Sequence, residues 1–372
     1  MSPVDLAELP LDQLCGQLIV GGFAATELSP RFARELQAGR RAGAILFRRN
    51  IASVAQVARL NRSIVAAAPR HLPPFIGVDQ EGGRVARLQP PFLKLPPMRT
   101  LGRLGQPELT ERIAAELGRQ LGVLGFNLDF APVMDVDSNP ENPVIGDRSF
   151  GRDPATVTDH GLAVVRGLQD AGVMACAKHF PGHGDTALDS HLALPTVVHD
   201  RDRLDQVELP PFAAASAAGV ATMMSAHVVF PALDPTGPAT FSPRICTTLL
   251  RGELGFAGLL FTDDLEMGAV AADHSIEDSV VQAVVAGCEG LLICSDEELQ
   301  VRAHRALVAR AEQDPGFLDR CRAAVERSVH LRARYLARPG SDDRIASQVD
   351  GDQARDLLAE LGAATAASGE DS

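Results

Sequence analysis

The sequence predicts an α/β fold: a single (β/α)8 barrel of the TIM type, with a C-terminal helical extension and tail. Eight short apolar runs recur along the chain, amphipathic stretches separate several of them, and glycine tends to follow those stretches. Unbroken apolar runs are typical of parallel strands buried on both faces, and their alternation with helices predicts a barrel. A doubly wound sheet of seven or nine strands is the alternative fold.

The predicted strands and helices can be read directly from the sequence. The strand-like runs are QLIVGGF, AGAILF, PFIGVD, FNLDFAPVMDVD, VMACAKH, ATMMSAHVV, GLLFTDD and EGLLIC. The amphipathic stretches include ASVAQVARLNRSIVAAA, TERIAAELGRQLGVLG and ATVTDHGLAVVRGLQDAG, and glycine after such a stretch predicts the end of a helix. Residues 1–337 are the predicted barrel. Residues 338–372 are predicted to form an extension with one helix and a partly disordered tail, because this segment is rich in small and polar residues.

Composition and charge restrict the class of protein. The formal net charge of −13 argues against a nucleic-acid partner, because phosphates require basic patches. The sequence contains neither a signal-peptide pattern nor an apolar run of membrane-span length. Its six cysteines lack CxxC spacing, which is typical of reduced thiols. We therefore expect a soluble, cytoplasmic protein that acts on a small molecule as a monomer.

Polar residues follow several of the predicted strands at the points where those strands end. They are Asp79, Asp135, Lys178, His179, His227 and Asp263. Because the carboxyl ends of barrel strands surround one mouth, we expect these side chains to converge there. Long loops follow the third, fourth and fifth strands, and loops of that length in a compact domain are usually functional.

The run KHFPGHGDTALDSH, from Lys178 to His191, fits three kinds of site. It could bind a divalent metal, for which the candidate ligands are His179, His183, Asp185 and His191. The run could also be a polar loop whose residues bond only to one another. Proton transfer is the third interpretation. Asp189 stands two residues before His191, so in an extended loop both side chains project to one side and the carboxylate can keep the imidazole cationic.

A proton donor of this kind needs a partner group at the reacting centre. Asp263 ends the seventh predicted strand and is the candidate for that carboxylate. The alternative is that Asp263 and Glu266 form a helix N-cap with its reciprocal glutamate. We expect Asp264 to point away from its neighbour, as the cap or in a salt bridge.

Four motifs together resemble those of the bacterial β-N-acetylhexosaminidases of glycoside hydrolase family 3, enzymes of cell-wall recycling. The motifs are KHFPGHGDTALDSH, GVDQEGGRVARL, NLDFAPVMDVDSNPENPVIGDRSFG and LLFTDDLEM. The resemblance runs from about Leu11 to about Ala337. It implies a (β/α)8 barrel without a second α/β domain, retention of anomeric configuration and no cofactor or metal. The implied partner is a carbohydrate, a terminal N-acetylglucosaminide of muropeptides.

The resemblance also implies a role for individual residues. Asp263 matches the nucleophile that forms a glycosyl-enzyme, His191 the general acid/base, and Asp189 its partner. The positions that match substrate-binding residues are Asp79, Arg87, Arg148, Lys178 and His179. Four alternatives stay open: a phosphorylase that uses phosphate as acceptor, another substrate sugar, a metal-dependent hydrolase and a sugar-binding protein.

Two further expectations concern the shape and movement of the site. The sequence contains no tryptophan and one tyrosine, Tyr335, which disfavours an aromatic cleft for long glycans and favours a small pocket with exo action. We also expect Gly182 and Gly184 to let the motif loop swing, so that His191 enters the site only after substrate binds.

Overall fold

The computed structural model describes residues 9–186, 194–349 and 351–367, and its main feature is a barrel of eight parallel strands. All eight predicted runs form strands. Their bounds are Ile19–Gly21, Gly43–Leu46, Phe75–Val78, Leu128–Asp129, Met174–Phe180, Thr222–Ser225, Leu259–Phe261 and Leu291–Ile293. The first seven strands pair in chain order, and the eighth pairs with the first. A parallel bridge between Phe261 and Gly290 closes the ring, so the predicted barrel is confirmed and the open doubly wound sheet is wrong.

Helices lie on the outside of this barrel. Within the described residues their bounds are Leu11–Gly16, Pro30–Gln37, Val54–Ala67, Met98–Leu104, Pro107–Leu124, Pro154–Asp170, Arg201–Gln206, Pro210–Ala217, Gly268–Ala271, Ile276–Ala286, Glu297–Gln313, Pro315–Arg334, Asp342–Val349 and Asp352–Ala367. Residues Arg244–Glu253 form a π-helix. Side chains of Ser53 and Asp153 cap the first turns of two long helices, and Gly125 ends another at a φ of 95°, where glycine is favoured. These signals explain why the amphipathic stretches begin and end where they do.

The barrel interior is a packed core below the mouth. Phe261 lies with its ring edge-to-face against Phe75 and Phe130, at centroid distances of 5.5 Å in both pairs. At the opposite end from the mouth, the fully buried guanidinium of Arg332 donates to the carbonyl oxygens of Ala42 and Pro73. The packed interior therefore supports the carboxyl ends of the strands, where the functional side chains lie.

The described part of the C-terminal extension contains two helices, Asp342–Val349 and Asp352–Ala367, so the expectation of one helix was wrong. They pack against Pro107–Leu124, with buried Ile345, Val349, Leu357 and Leu361 on their inner faces. Each helix buries an apolar stripe on the barrel, which is why this polar segment is ordered. The division of the chain at residue 337 stays a prediction, and the predicted tail at 368–372 lies outside the described residues. No helix in the described ranges is long and apolar enough to cross a membrane.

Candidate active site

A cavity of about 300 Å³ opens at the carboxyl ends of the strands. Six residues predicted from the sequence line it: Asp79, Arg87, Arg148, Lys178, His179 and Asp263. This volume is at the lower end of small-molecule pockets, which span roughly 300 to 1,000 Å³. Its size and charged lining suit one small polar ligand, in agreement with the expectation of a small pocket.

Lys178 is the centre of a buried charge network on one wall of the cavity. Its Nζ lies 2.9 Å from Oδ1 of Asp79 and 2.6 Å from Oε1 of Glu81. Glu81 also accepts two hydrogen bonds of 2.8 Å from Arg148, in a bidentate pair. Burial lowers the pKa of Lys178, but the two carboxylates outweigh burial and raise it, so this ammonium is charged at neutral pH.

The carboxylates of this wall are held in the ionised form. Burial raises the pKa of Glu81, but Arg148 and Lys178 outweigh it and hold that pKa well below its usual range. The pKa of Asp79 is also lowered, because Lys178 and Arg87 outweigh the burial of its carboxyl. Charged hydrogen-bonding groups of both signs therefore face the cavity, an arrangement suited to the hydroxyl groups of a sugar.

Arg87 reaches the cavity because a short hairpin, Gln80–Gly82 and Val85–Ala86, turns the chain back after the third strand. Oε1 of Gln80 accepts hydrogen bonds from the backbone N–H groups of Arg87 and Leu88, at 2.8 and 3.0 Å. The backbone N–H of Gln80 in turn donates to Oδ1 of buried Asp129. The guanidinium of Arg87 then lies 3.2 Å from Oδ2 of Asp79.

Asp135 orients the histidines of the motif. Its Oδ2 lies 2.7 Å from Nδ1 of His179, and its Oδ1 accepts from the backbone N–H of His183 at 2.7 Å. A carboxylate at Nδ1 holds the proton on that nitrogen and leaves Nε2 of His179 for the cavity. Burial and the neighbouring His179 lower the pKa of His183 to about 4, so His183 is neutral at pH 7.

Asp263 lies at the end of the seventh strand and faces the cavity. Burial raises the pKa of its carboxyl, but His179 and His227 outweigh burial and hold it below its usual value. The two histidines contribute more to this lowering of the pKa than Lys178 does. Oδ1 of Asp263 also accepts a 2.8 Å hydrogen bond from the backbone N–H of Asp264. The carboxylate is thus ionised and stabilised where a reacting atom would meet it.

The helix-cap interpretation of this segment is wrong. The next helix is Gly268–Ala271, and Met267 stands at its N-cap position. Glu266 instead accepts from the backbone N–H groups of Ser295 and Asp296, which follow the eighth strand. Asp264 also lines the cavity and bonds to the N–H of Cys294, while burial raises its pKa to about 7. The acidic residues after Asp263 therefore fasten two loops of the mouth together.

Asp189 and His191, the predicted acid/base pair, lie outside the described residues, within 187–193. Up to Thr186 the motif loop is tightly packed. Thr186 Oγ1 lies 2.9 Å from Nδ1 of His183, and Asn142 donates to the carbonyl oxygen of His183 at 2.8 Å. Gly184 lies against the backbone of Val136 so closely that no side chain would fit. Close packing therefore requires glycine at this position, and the swing of the loop stays a prediction.

Sequence reasoning missed some residues of this site. Glu81, which binds both Lys178 and Arg148, received no role, and Asp135 was placed at the mouth without one. The available signal was that Glu81 is the second acid of the DQEGGR segment, two residues after Asp79. As for the metal alternative, the described part of the chain contains no group of three or more potential ligands placed to hold an ion.

The chain matches known proteins along most of its length. The family described as "Glycosyl hydrolase family 3 N terminal domain" matches residues 11–327. Beta-hexosaminidase A of Pseudoalteromonas piscicida is 39% identical over 310 residues, which cover 78% of this chain and about half, 51%, of that relative. Beta-hexosaminidase of Nitrosomonas eutropha is 42% identical over 262 residues, or 69% of this chain and 74% of that protein.

Solved structures agree with these sequence matches. A glycoside hydrolase family 3 beta-N-acetylglucosaminidase from Paenibacillus superposes with a TM-score of 0.89 and 41% identity, covering 96% of this chain and 69% of that one. A protein of Neisseria gonorrhoeae in complex with N-trifluoroacetyl-D-glucosamine gives a TM-score of 0.76 at 30% identity, covering 94% of this chain and 97% of that one. Together with the barrel and its charged mouth, these matches show that the chain belongs to glycosyl hydrolase family 3 and is a glycoside hydrolase.

Proposed function

We propose that this protein is a retaining exo-β-N-acetylglucosaminidase, which hydrolyses one terminal β-linked N-acetylglucosamine at a time. One observation supports it most: the Asp263 carboxylate shares a cavity of about 300 Å³ with the charged wall formed by Asp79, Lys178 and Arg148. A pocket of this size suits a single sugar ring, hence exo action. The names of the curated relatives and the ligand of the Neisseria gonorrhoeae neighbour support the N-acetyl sugar.

In the proposed reaction, Asp263 is the nucleophile. Attack on C1 requires an ionised carboxylate, and the lowered pKa of Asp263 supplies it at neutral pH. The bond from Asp263 to C1 forms as the bond from C1 to the leaving oxygen breaks. This gives a covalent glycosyl-enzyme with inverted configuration, which a second inversion by water converts to a retained product.

His191 is the proposed proton donor to the leaving oxygen, with Asp189 as its partner. After the first step the neutral imidazole removes a proton from water, which attacks C1 and releases Asp263. Asp264, with a pKa near 7, also lines the cavity. Its Oδ1 is already bonded to the backbone N–H of Glu266 and Cys294, so we assign it to holding the loops.

Asp79, Arg87, Arg148, Lys178 and His179 are the proposed sugar-binding residues, with Glu81 and Asp135 holding them in place. We propose muropeptides of peptidoglycan recycling as the natural substrates and the cytoplasm as the site of action. The protein is proposed to work as a monomer without a cofactor. The family resemblance and the negative net charge support these choices.

The test is cleavage of 4-nitrophenyl β-N-acetylglucosaminide in the presence of a chelator, with NMR of the first sugar released. Free β-N-acetylglucosamine in both phosphate and phosphate-free buffer supports the proposal. A sugar 1-phosphate as the main product in phosphate buffer would identify a phosphorylase with the same residues in the same roles. Absence of cleavage, or cleavage only without chelator, contradicts the proposal.

A further inference from the structure

A second cavity, of about 200 Å³, adjoins the first on the far side of Arg87. It lies where the chain leaves the second and third strands, and its lining includes Arg48, Ser53, Val54, Arg87, Leu88 and Pro91. Arg87 also lines the larger cavity. The two cavities therefore share one lining residue, Arg87.

The lining of this second cavity is positively charged. It holds two arginines and no acidic residue, although the chain carries a net charge of −13. The side chain of Arg48 is exposed, and it makes no hydrogen bond or ion pair with any other described residue. Arg87 uses one terminal nitrogen, Nη2, for Asp79, and its other terminal nitrogen, Nη1, makes no hydrogen bond with a described residue. Two guanidinium groups thus have donors available for a ligand.

The strand order gives the orientation of this cavity relative to the reacting centre. The third and seventh strands are four positions apart in a ring of eight, so Asp79 and Asp263 lie on opposite sides of the mouth. If Asp263 attacks C1, as proposed above, the opposite end of the pyranose ring, with O4 and O6, points towards Asp79 and Arg87. The second cavity lies beyond that end, remote from the bond that is cleaved.

We propose that the pocket between Arg48 and Arg87 is a subsite for a small anionic group, a carboxylate or a phosphate. The group is either a substituent at O4 or O6 of the terminal sugar or a free anion that binds next to it. The position of the pocket relative to the sugar rests on the proposed function. An anion here stands across the mouth from Asp263 and cannot be the acceptor that attacks C1. Guanidinium groups bind such oxyanions through paired, charge-assisted hydrogen bonds.

The first experiment is calorimetric titration of inorganic phosphate into the full chain. We expect binding that Arg48→Gln weakens by about tenfold, the effect of one lost charge-assisted hydrogen bond. Arg48→Lys keeps the charge without the planar fork and should weaken it less. Arg320→Gln is the matched control, because Arg320 is exposed on the helix Pro315–Arg334 and lines neither cavity; it should leave binding unchanged.

A second experiment distinguishes the source of the anion. Inhibition by N-acetylglucosamine 6-phosphate is compared with inhibition by N-acetylglucosamine, in the wild type and in Arg48→Gln. Tighter inhibition by the phosphorylated sugar that is lost in the variant indicates a substituent of the substrate. The other outcome is that the two sugars inhibit equally well and that phosphate still binds when N-acetylglucosamine saturates the protein. That outcome indicates a free anion.

Absence of phosphate binding overturns the proposal, as does equal binding by the wild type, Arg48→Gln and Arg320→Gln. Failure of the proposed function has a separate signature. If the protein does not cleave 4-nitrophenyl β-N-acetylglucosaminide, that function is wrong. The phosphate titration does not depend on turnover, so it still decides whether the subsite exists.

Discussion

The ammonium group of Lys178 lies 2.6 Å from Oε1 of Glu81, and both side chains are almost fully buried, with exposed fractions of 3% and 2%. Glu81 also binds Arg148, so one carboxylate orients two cations that face the cavity. Buried charges are tolerated when they are paired and hydrogen-bonded in this way, and removing one partner leaves the others uncompensated.

Replacing Glu81 with glutamine keeps its size and removes its charge. Loss of one member of a buried ion pair costs about 3 to 5 kcal/mol, so we expect the free energy of unfolding to fall by about 3 kcal/mol. The KM for N-acetylglucosaminides should rise, because Lys178 and Arg148 lose their common anchor. Urea denaturation and steady-state kinetics measure the two effects.

The control for that change is Glu111→Gln, which removes a pair with Arg166 in which both side chains are substantially exposed. Surface pairs contribute about 1 kcal/mol or less, so stability and KM should hardly change. Equal losses in the two variants would show that the buried position of Glu81 has no special importance.

Asp263 should be indispensable if it is the nucleophile. We expect Asp263→Asn to lower kcat by about 10⁴-fold, the scale on which removing a group of the catalytic machinery acts. The folded structure should persist, as judged by circular dichroism. Mass spectrometry of the wild type after reaction with a slow fluorinated substrate should locate the sugar on the peptide that contains Asp263. A label on another residue, or a fully active Asp263→Asn variant, contradicts the assignment.

Asp135 should control the sugar-binding histidine without touching substrate. The carboxylate of Asp135 now accepts hydrogen bonds from the backbone N–H groups of His179 and His183 and from Nδ1 of His179. In Asp135→Asn, one of the two oxygens becomes an NH2 group, which cannot accept, so at least one of these hydrogen bonds is lost. Loss of one charged hydrogen bond is worth about 1.5 to 3 kcal/mol, so kcat/KM should fall roughly ten- to a hundredfold. Kinetics at several pH values should show a changed profile, which loss of stability alone would not produce.

Asp137→Asn is the matched control, since Asp137 is buried in the same loop but pairs with Arg99 and Arg152. It should lower stability and leave the pH profile unchanged. If the two variants have the same pH profile, Asp135 acts only through the fold.

Asp129 should make the stability of the protein depend on pH. The ordinary pKa of an aspartate carboxyl is 3.8, whereas burial raises that of Asp129 to about 8, and its Oδ2 has no partner within the described residues. Between these pH values the folded protein holds a proton that the unfolded chain has lost. The stabilising contribution is complete below the unfolded pKa and is lost as pH rises through the folded pKa.

Asparagine at position 129 does not titrate and should remove this dependence. We expect the free energy of unfolding of Asp129→Asn, relative to the wild type, to increase by roughly 1 kcal/mol per pH unit between about pH 5 and 8. Urea denaturation across that range measures it. Asp319→Asn, on an exposed helical position, should show no such trend. A flat difference for Asp129→Asn would mean that this carboxyl is ionised in the folded protein.

Much of the fold was predictable because strand and helix signals are local. The eight apolar runs became eight strands, since an unbroken apolar segment can be satisfied only where both faces are buried. The extension was harder to predict, because its second helix gains stability from contacts with Pro107–Leu124 that lie far away in sequence. For the same reason the cap predicted at Asp263 was wrong, since Glu266 bonds instead to the loop after the eighth strand.

The sequence by itself determined the barrel, the set of polar residues at strand ends and the family to which they point. Only the tertiary structure decided which charges meet: Glu81 with Lys178 and Arg148, Asp135 with His179, and His227 close enough to lower the pKa of Asp263. The physical reason is the separation along the chain over which each kind of interaction acts. Hydropathy and capping act between residues a few positions apart, whereas the electrostatics of a barrel mouth depend on distances between side chains from different strands.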